Sequence, residues 1–557
     1  MSITVGSVAA YLQAVLWYAL RDLNMDRCGR RLPARRMGHF PLHVAVWSVV
    51  SKTAAPVTLE LRPRAAGATL LRWLYDEIRL AIVEGRLPPG ARLPSTRAIA
   101  HQHRVARGTV VAAFDHLIAE GYIEGNVGSG SFVRDMTALS SMPMASATSR
   151  SRPRPTVVAP SLSIRGRRLA SHPFRTPWAS QDPEKVAFLP DVGALEAFPM
   201  RTWSRISARC LRRAAANRLL HHGSPGGLRV LREAIAAHSG LTRGVKCTAD
   251  QVVITAGTQQ SLDLIARLVL DEGDRVWMED PGYGGITALL RAVGAQVIAV
   301  PVDEEGIDCA AGCRRGRLAK LAYVTPSCQF PLGSTMSLQR RLDVLRWAGE
   351  TGALIFEDDY DSQLGFADRP LVALHSLDRT GCVVYSNSFS KMLFPSLRLG
   401  FFIAPERLVE PVMAARSVLE RFPPMLEQAV LAEFIGDGHM EQHMRRMREL
   451  YTARLQALAE AVKREIPDVM ELAPVRSGLQ IVGWLAKGID DVEASHAAFE
   501  QMGIYSAPLS RLVVERPLPP AMVFFPASTD VHTIGRSVEQ LGTFLRRLKR
   551  GNTAATG

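Results

Sequence analysis

Cysteine is scarce in this chain: its 557 residues include seven, an odd number, and none is arranged as C-x-x-C. Cys309 and Cys313 lie close together but have no nearby complement of histidine and cysteine. This pattern argues against a disulfide framework and against a zinc site of the usual spacing. We therefore expect reduced thiols, no bound metal and a cytoplasmic location.

Long apolar runs are also missing. The apolar stretch from Val5 to Leu20 is shorter than the roughly 20 residues that a membrane-spanning helix needs, and it lacks the leader and cleavage site of a secretory signal. A composition of 47% hydrophobic and 22% charged residues is that of a globular protein. We expect at least two domains and no membrane association.

Acidic residues are scarce in the first third of the chain and not in the rest of it. Residues 1–175 hold 24 Lys and Arg but 10 Asp and Glu, so this first third carries the whole net charge of +14. A basic module followed by a neutral one indicates nucleic-acid binding at the N-terminus. Charge alone leaves open a basic tail without a partner.

Periodicity predicts a small helical domain over residues 61–135. Apolar residues recur at helical spacing over 68–84, Ser95 can cap a short helix that ends near Gln102, and a third helix is expected over 107–120. Two short strands around a Gly-rich tip follow it. Three helices and a hairpin wing make a winged helix–turn–helix, whose third helix would enter the DNA major groove. Residues 1–60 fit no pattern and are an extension of unknown role, unless the true start lies downstream, for example at Met37.

This domain resembles the GntR family of transcription regulators. The resemblance is carried by residues 85–97, 105–114, 117–123 and 128–132. It implies binding to double-stranded DNA through Arg97, Arg107, Thr109, Gly128, Ser129 and Gly130. Arginine can bind guanine or phosphate with two hydrogen bonds, and glycine lets backbone N–H groups approach phosphates. One departure is Ala106, where the family usually has a Ser or Thr that would cap the third helix.

Residues 136–180 have the composition of a linker, and 181–557 are expected to form a second module. Strand-like runs alternate there with amphipathic helices, which predicts a mostly parallel sheet covered by helices. From about Pro411 the pattern turns helical and then ends in short strands, which we interpret as a smaller α/β lobe. The strand-like runs are 251–255, 275–279, 296–301, 321–324, 353–357 and 382–385.

Lys391 stands just after one of these runs, at the edge where parallel sheets bind ligands. A lysine must be neutral to form a Schiff base, and burial near other cations would lower its pKa toward that state. Asp358 ends the run before it, where a carboxylate can keep a pyridine nitrogen protonated, and Tyr360 could reach the oxygen on such a ring. Taken singly, each has an ordinary structural explanation.

Further residues suit the phosphate and the ring of the same cofactor. A helix start at residues 256–260 offers free N–H groups to an anion, and Thr258 and Gln259 lie within it. Ser388 and Arg398 flank Lys391 and can complete an anion site. Tyr283 is placed to stack on the ring.

In order and spacing these motifs resemble the type I aminotransferase fold, over residues 221 to about 530. They resemble in particular the MocR/GabR-type regulators, which join that fold to a GntR head. The resemblance implies pyridoxal 5'-phosphate (PLP) as cofactor, with Lys391 as its internal-aldimine lysine and Asp358 at the ring nitrogen. It also implies a homodimer, and a weaker role for Arg511 in binding the carboxylate of an effector.

Several positions depart from that family. Cys328 stands where His is frequent, and His222-Gly-Ser-Pro225 replaces Tyr-Gly-Asp-Pro, whose Tyr reaches the phosphate across a dimer interface. Gly285 stands where the GABA-responsive member has Arg, so we do not expect GABA as effector.

Three functions are compatible with these motifs. We expect a regulator that senses PLP or a small amino compound and that does not convert the amino compound in repeated turnovers. The alternatives are a working aminotransferase with a helical appendage and a regulator whose second module only dimerises. The intact set of Lys391, Asp358 and Tyr360 argues against the last of these.

Overall fold

The computed structural model describes residues 59–64, 67–126, 130–135, 161–171, 182, 185–214, 219–364, 372–474 and 479–555. The chain divides into two compact units, Met1–Val157 and Val158–Gly557. The expected extension lies outside the described residues except for its last two positions. No helix in the described part of the chain is both long and apolar enough to cross a membrane.

Three helices and a hairpin make up the described part of the first unit. They are α1 (Leu70–Val83), α2 (Thr96–Gln102) and α3 (Arg107–Ala119), followed by antiparallel strands β1 (Ile123–Asn126) and β2 (Gly130–Val133). The elements lie close to their predicted ranges, and the winged helix–turn–helix expected from the sequence is confirmed.

Local capping explains where these helices start. The Ser95 hydroxyl accepts a hydrogen bond from the backbone N–H of Ala98 at 3.2 Å, as the sequence predicted for α2. Helix α3 starts after Ala106, which offers no side-chain cap, so the expected loss of the family's cap is real in the structure.

Leu59 belongs to the core of this unit although it falls within the expected extension. Its side chain is 1% exposed, and its carbonyl accepts a hydrogen bond from Gln102 Nε2 at 2.9 Å. The packed head therefore includes the last residues of the range 1–60. The other fully buried core side chains include Leu74, Ile78, Ile99, Val110 and Leu117.

The second unit is built on an eight-stranded sheet in the order β3-β10-β9-β8-β7-β4-β5-β6. Strands β4, β5, β7, β8 and β9 pair in parallel, while β10 pairs antiparallel with both β3 and β9. The mostly parallel sheet is confirmed, and β10 was not predicted. The strands are β3 (Val252–Thr255), β4 (Arg275–Asp280), β5 (Gln296–Asp303), β6 (Gly306–Ile307), β7 (Leu321–Val324), β8 (Leu354–Asp358), β9 (Val383–Ser388) and β10 (Gly400–Ile403).

Helices cover both faces of this sheet. Along β3, Val253 packs into one apolar cluster, whereas Val252 and Ile254 pack into another, because alternate side chains of a strand point to opposite faces. The sheet is therefore the middle layer of the unit. The helices are α4 (Ile164–Ala170), α5 (Met200–Ala214), α6 (Arg229–Arg243), α7 (Thr258–Val269), α8 (Gly284–Val293), α9 (Cys309–Gly316), α10 (Leu338–Thr351), α11 (Leu374–Leu377), α12 (Phe389–Met392), α13 (Glu406–Leu419), α14 (Leu426–Gly436), α15 (His439–Glu465), α16 (Asp491–Met502) and α17 (Val531–Ala555).

A smaller lobe follows α15, as the sequence predicted. Its antiparallel sheet has the order β11-β12-β14-β13, formed by Met470–Leu472, Ile481–Leu485, Ala507–Pro508 (β13) and Ala521–Phe524 (β14). Helices α16 and α17 pack against it through an apolar cluster that includes Ile534.

Helix α4 lies in the range that the sequence analysis assigned to a linker. Ser163 caps its start, and Arg168 donates a hydrogen bond to Glu272 at 2.6 Å. The helix packs on α8, yet it buries none of its own side chains, which explains why no apolar periodicity marked it.

Candidate functional site

The carboxyl ends of the parallel strands meet at one edge of the large sheet and border a cleft of about 270 Å³. Strand β3 runs in the same direction as β9, because β10 is antiparallel to both. Every residue that the sequence assigned to the cofactor lines this cleft. These residues are Thr258, Gln259, Tyr283, Asp358, Tyr360, Ser388, Lys391 and Arg398.

Asp358 ends β8 and is buried, 7% exposed. One carboxylate oxygen accepts a 2.6 Å hydrogen bond from the Tyr323 hydroxyl, and the other accepts from the Thr258 hydroxyl at 3.1 Å. Burial raises the pKa of Asp358 to about 6, against the lowering effect of the Tyr323 hydrogen bond. A buried carboxylate that binds protons this readily is suited to share one with a ring nitrogen.

Lys391 lies in α12 with its side chain 24% exposed. Its Nζ is 3.2 Å from Asp191 Oδ1 and 4.2 Å from the centre of the Tyr360 ring. Burial lowers the pKa of Lys391, but the carboxylates of Asp191 and Asp361 outweigh it, and the net shift is upward. The expectation that nearby cations depress this pKa is wrong, because the groups closest to the amine are acids.

Tyr360 is held by the smaller lobe. Its hydroxyl accepts a 2.7 Å hydrogen bond from Gln480 Nε2 and donates to Cys328 Sγ at 3.5 Å. Cys328, one of the departures from the family, is therefore in direct contact with a predicted cofactor residue. Across the cleft, Tyr283 packs edge-on against Phe330, with ring centres 5.8 Å apart.

The opposite end of the cleft suits an anion. Gly257 precedes α7 with φ 122°, and no described side chain caps that helix start. A Cβ at Gly257 would lie 3.8 Å from Ser388 Oγ and 3.9 Å from the Arg398 guanidinium, so these groups face one concave space. Helix N-termini, hydroxyls and arginine together bind phosphate.

The residues present fit PLP. In addition to the anion site, the acid and the lysine, Ser390 Oγ is buried in the cleft wall without a hydrogen-bond partner among the described residues. Such a group calls for a polar ligand. The described residues contain no cluster of His, Cys, Asp and Glu that could hold a metal ion.

Gly285 lies beside this site. A Cβ there would come 2.9 Å from Gln259 Nε2 and 3.0 Å from the Tyr283 ring, so any larger side chain requires one of them to move. An arginine at this position, as in the GABA-responsive member, would therefore need Gln259 or Tyr283 to shift.

Sequence reasoning missed several residues of the cleft wall. Ser390 lies inside the Ser388–Lys391 motif, and Tyr323 is the one residue with a hydroxyl on the buried strand β7. The sequence could therefore have indicated both residues. Asp191 and Tyr505 lie on irregular segments and carried none. Arg511, the predicted carboxylate-binding residue, is exposed and does not line the cleft, although the adjacent Leu512 does.

In the first unit, Arg97 and Arg107 are exposed at the starts of α2 and α3. Neither has an ion-pair partner among the described residues, which leaves both guanidinium groups available to DNA. Thr109 is half-buried in the first turn of α3, and Gly130 adopts φ 104°, a conformation that favours glycine. Gly128 and Ser129 lie outside the described residues.

Comparison with known proteins gives the same two modules. The model of aminotransferase class I and II matches residues 195–519, and that of bacterial regulatory proteins of the gntR family matches 71–133. The probable rhizopine catabolism regulatory protein MocR of Rhizobium meliloti is 36% identical over 86% of this chain and 94% of its own length. The transcriptional regulator TauR of Rhodobacter capsulatus is 34% identical over 76% of this chain and 83% of its own. A solved structure of LysN, the α-aminoadipate aminotransferase of Thermus thermophilus, is 28% identical, with a TM-score of 0.62 over 68% of this chain and 97% of that one.

Proposed function

This chain belongs to the MocR-type regulators of the gntR family, PLP-dependent transcription regulators, and from that premise we propose that its cleft senses PLP or a small amino compound. The observation that carries the proposal is the meeting of Lys391, Asp358 and Arg398 in one cleft at the carboxyl edge of the sheet. A second module that only dimerised would have no need of this set.

Within the cleft we assign Lys391 to covalent attachment and Asp358 to the ring nitrogen. Ser388, Arg398 and the N–H groups of Thr258 and Gln259 bind the phosphate; the Thr258 hydroxyl already bonds to Asp358. Tyr283 stacks on the ring, and Tyr360 contacts its oxygen. When bound, PLP supplies an aldehyde that condenses with amines and a ring that withdraws electrons.

In the head we assign DNA binding to Arg97, Arg107 and Thr109, with Gly128, Ser129 and Gly130 of the wing approaching the phosphate backbone. We further propose a homodimer that acts in the cytoplasm. The modules are an extension (1–60), the head (61–135), a linker (136–180) and the sensing module (181–557), with the head's core extending back to Leu59.

A working aminotransferase is the second candidate, because the cleft keeps the lysine and the acid that such catalysis needs. Turnover demands more: a base over the Cα proton, a second amino acceptor and release of a keto acid. A sensor gains nothing by consuming its signal, so we expect amines to change operator binding while multiple turnover stays negligible.

One titration tests both functions. Purified protein is added to its own upstream DNA with and without PLP and a panel of amino compounds, while visible absorbance and keto-acid yield are recorded. The proposal predicts that at least one ligand changes both the spectrum and the operator affinity. Rapid keto-acid formation, with DNA affinity unaffected by every amine and by PLP, would establish the enzyme instead.

A further inference from the structure

One carboxylate of the cleft has no role in holding the cofactor. Asp191 is 49% exposed, and its Oδ1 lies 3.2 Å from Lys391 Nζ. After burial, the largest cause, the charge of Asp191 also raises the pKa of both Tyr283 and Tyr505. The negative charge of Asp191 therefore acts on the space in front of Lys391, which an incoming amine must enter.

The segment that carries Asp191 is fixed on both sides. Before it, the backbone N–H of Tyr505 donates to the Ala187 carbonyl at 3.0 Å, and after it the N–H of Ala194 donates to the Tyr451 hydroxyl at 3.2 Å. Any side chain at Gly193 would collide with that hydroxyl. Asp191 itself adopts φ 61°, a left-handed conformation that costs energy for most residues. The packing thus holds the backbone that carries this carboxylate in place beside the cleft.

Apart from Lys391, the positive charge in the described lining of the cleft lies at its anion end. Among its described lining residues, only Lys391 and Arg398 are cationic. Arg398 lies beside Ser388 and Gly257 at the anion end, and Arg511 does not line the cleft. With Lys391 attached to the cofactor, the described wall around Asp191 therefore presents an amino-acid carboxylate with an acid and with no cation.

We infer that the effector is an amine that lacks a carboxylate and instead carries a hydroxyl or a second ammonium group that donates a hydrogen bond to Asp191. This inference rests on the proposed function and specifies its ligand class. An ionised carboxylate accepts strong hydrogen bonds from both donors, whereas it repels another carboxylate. While Lys391 is attached to the cofactor, Asp191 is released from its present partner and can accept such a bond from the entering amine.

The test uses full-length protein loaded with PLP, its operator DNA and two matched ligand pairs. Ethanolamine is compared with glycine, and putrescine with 4-aminobutyrate, by dissociation constants from absorbance titrations and by operator affinity at saturation. The hydroxyl or ammonium member of each pair should bind at least about tenfold tighter. Equal or tighter binding of the amino acids would overturn the inference.

Asp191→Asn separates recognition of the ligand from positioning of Lys391. Asparagine tolerates the left-handed backbone, so the fold should persist. We expect the tenfold ratio to fall toward one in this variant. In the control Asp182→Asn it should not change, because Asp182 is similarly exposed, 50%, and also pairs with a lysine but lies outside the cleft. An equal loss of affinity for all four ligands would mean that Asp191 only positions Lys391.

The outcome also distinguishes failure of this inference from failure of the proposed function. Amino acids that shift the spectrum and the operator affinity, with the matched amines silent, would contradict the inference and leave amine sensing intact. If PLP attaches but no ligand, amino acid or amine, alters either readout, both the ligand class and the sensing of amino compounds are contradicted.

Discussion

Lys391 and Asp358 lie at the same edge of the sheet, and the pKa of each is raised there for a different reason. Burial disfavours the charged form of both groups. For Lys391, Asp191 and Asp361 supply opposite charge and hold its pKa above the ordinary value. For Asp358, hydrogen bonds from Tyr323 and Thr258 offset only part of the burial, and its pKa rises to about 6. Asp358 has no ion-pair partner among the described residues, and a cationic ring nitrogen would supply one.

At the residue scale, Lys391→Ala should abolish the covalent adduct with PLP, because the chain then has no amine at this place in the cleft. Some PLP should remain bound without a covalent bond through Ser388 and Arg398. The measurement is intact mass after borohydride reduction. Lys185→Ala, which removes an exposed lysine of the same unit, should retain the adduct. An unchanged adduct in Lys391→Ala would refute the assignment.

Asp358→Asn should change how stability depends on pH in protein stripped of PLP. The folded-state pKa of about 6 lies above the ordinary 3.8, so the native state binds this proton more tightly than the unfolded state. The resulting stability is present below about 4 and is lost as pH rises through about 6. Asn resembles the neutral acid, so the variant should exceed the parent at pH 7.5 by up to about 3 kcal/mol, and by less at pH 5.

Urea unfolding at both pH values measures this difference. The substitution Asp263→Asn, at a half-buried residue outside the site, is the control and should leave the pH dependence as it is. A variant that is less stable than the parent at pH 7.5 would show that the hydrogen bonds from Tyr323 and Thr258 outweigh the cost of burying the charge.

At the scale of elements, the sequence predicts whatever depends on local pattern. Apolar runs predicted β8 and β9, and since parallel strands end at the same edge, they also predicted that Asp358 and Lys391 would meet. Strand β10 was missed because its antiparallel insertion between β3 and β9 depends on tertiary pairing. Asp191 was missed for the same kind of reason: its position is set by Ala187 and Ala194, whose partners lie hundreds of residues away in the chain.

Helix α3 offers a test of a single element. Its N-cap residue, Ala106, offers no side-chain cap, so the hydroxyl in Ala106→Ser should accept a hydrogen bond from the first turn and stabilise the head by about 1 kcal/mol. Operator affinity should rise with it, because a firmer helix start orders Arg107. Thermal unfolding and operator titration of the full chain measure both effects. Ala119→Ser, at the far end of the same helix, is the matched control and should produce neither.

For the whole molecule, the concentration of positive charge in the first third predicts strongly salt-dependent DNA binding.

Arg107→Ala should cost roughly 1–3 kcal/mol of discrimination between base sequences if Arg107 contacts a base. If Arg107 contacts a phosphate, the substitution should instead reduce the slope of log affinity against log salt concentration by about one. The same two outcomes distinguish a base contact from a phosphate contact for Arg97→Ala. Operator titrations at several salt concentrations distinguish the two, with exposed Arg205→Ala of the second unit as control. A chain without residues 61–135 that still bound the operator would contradict DNA reading by the head.

Binding of the operator by the head and of the effector by the cleft should be coupled. If one protein binds both operator and effector, and the effector changes operator affinity by some factor, thermodynamic linkage requires the operator to change effector affinity by the same factor. Regulatory coupling commonly amounts to about 5–150-fold, well within reach of titration. Effector affinity is measured from the visible spectrum of the PLP-loaded chain, with and without saturating operator, and operator affinity is measured with and without saturating effector.

The factor by which the operator changes effector affinity should equal the factor by which the effector changes operator affinity. Both factors should fall to one in Lys391→Ala, which keeps the head but cannot exchange its amine for the ligand's. An effector whose affinity is the same on and off the operator would mean that the cleft and the head are not coupled, however tightly each binds its own ligand.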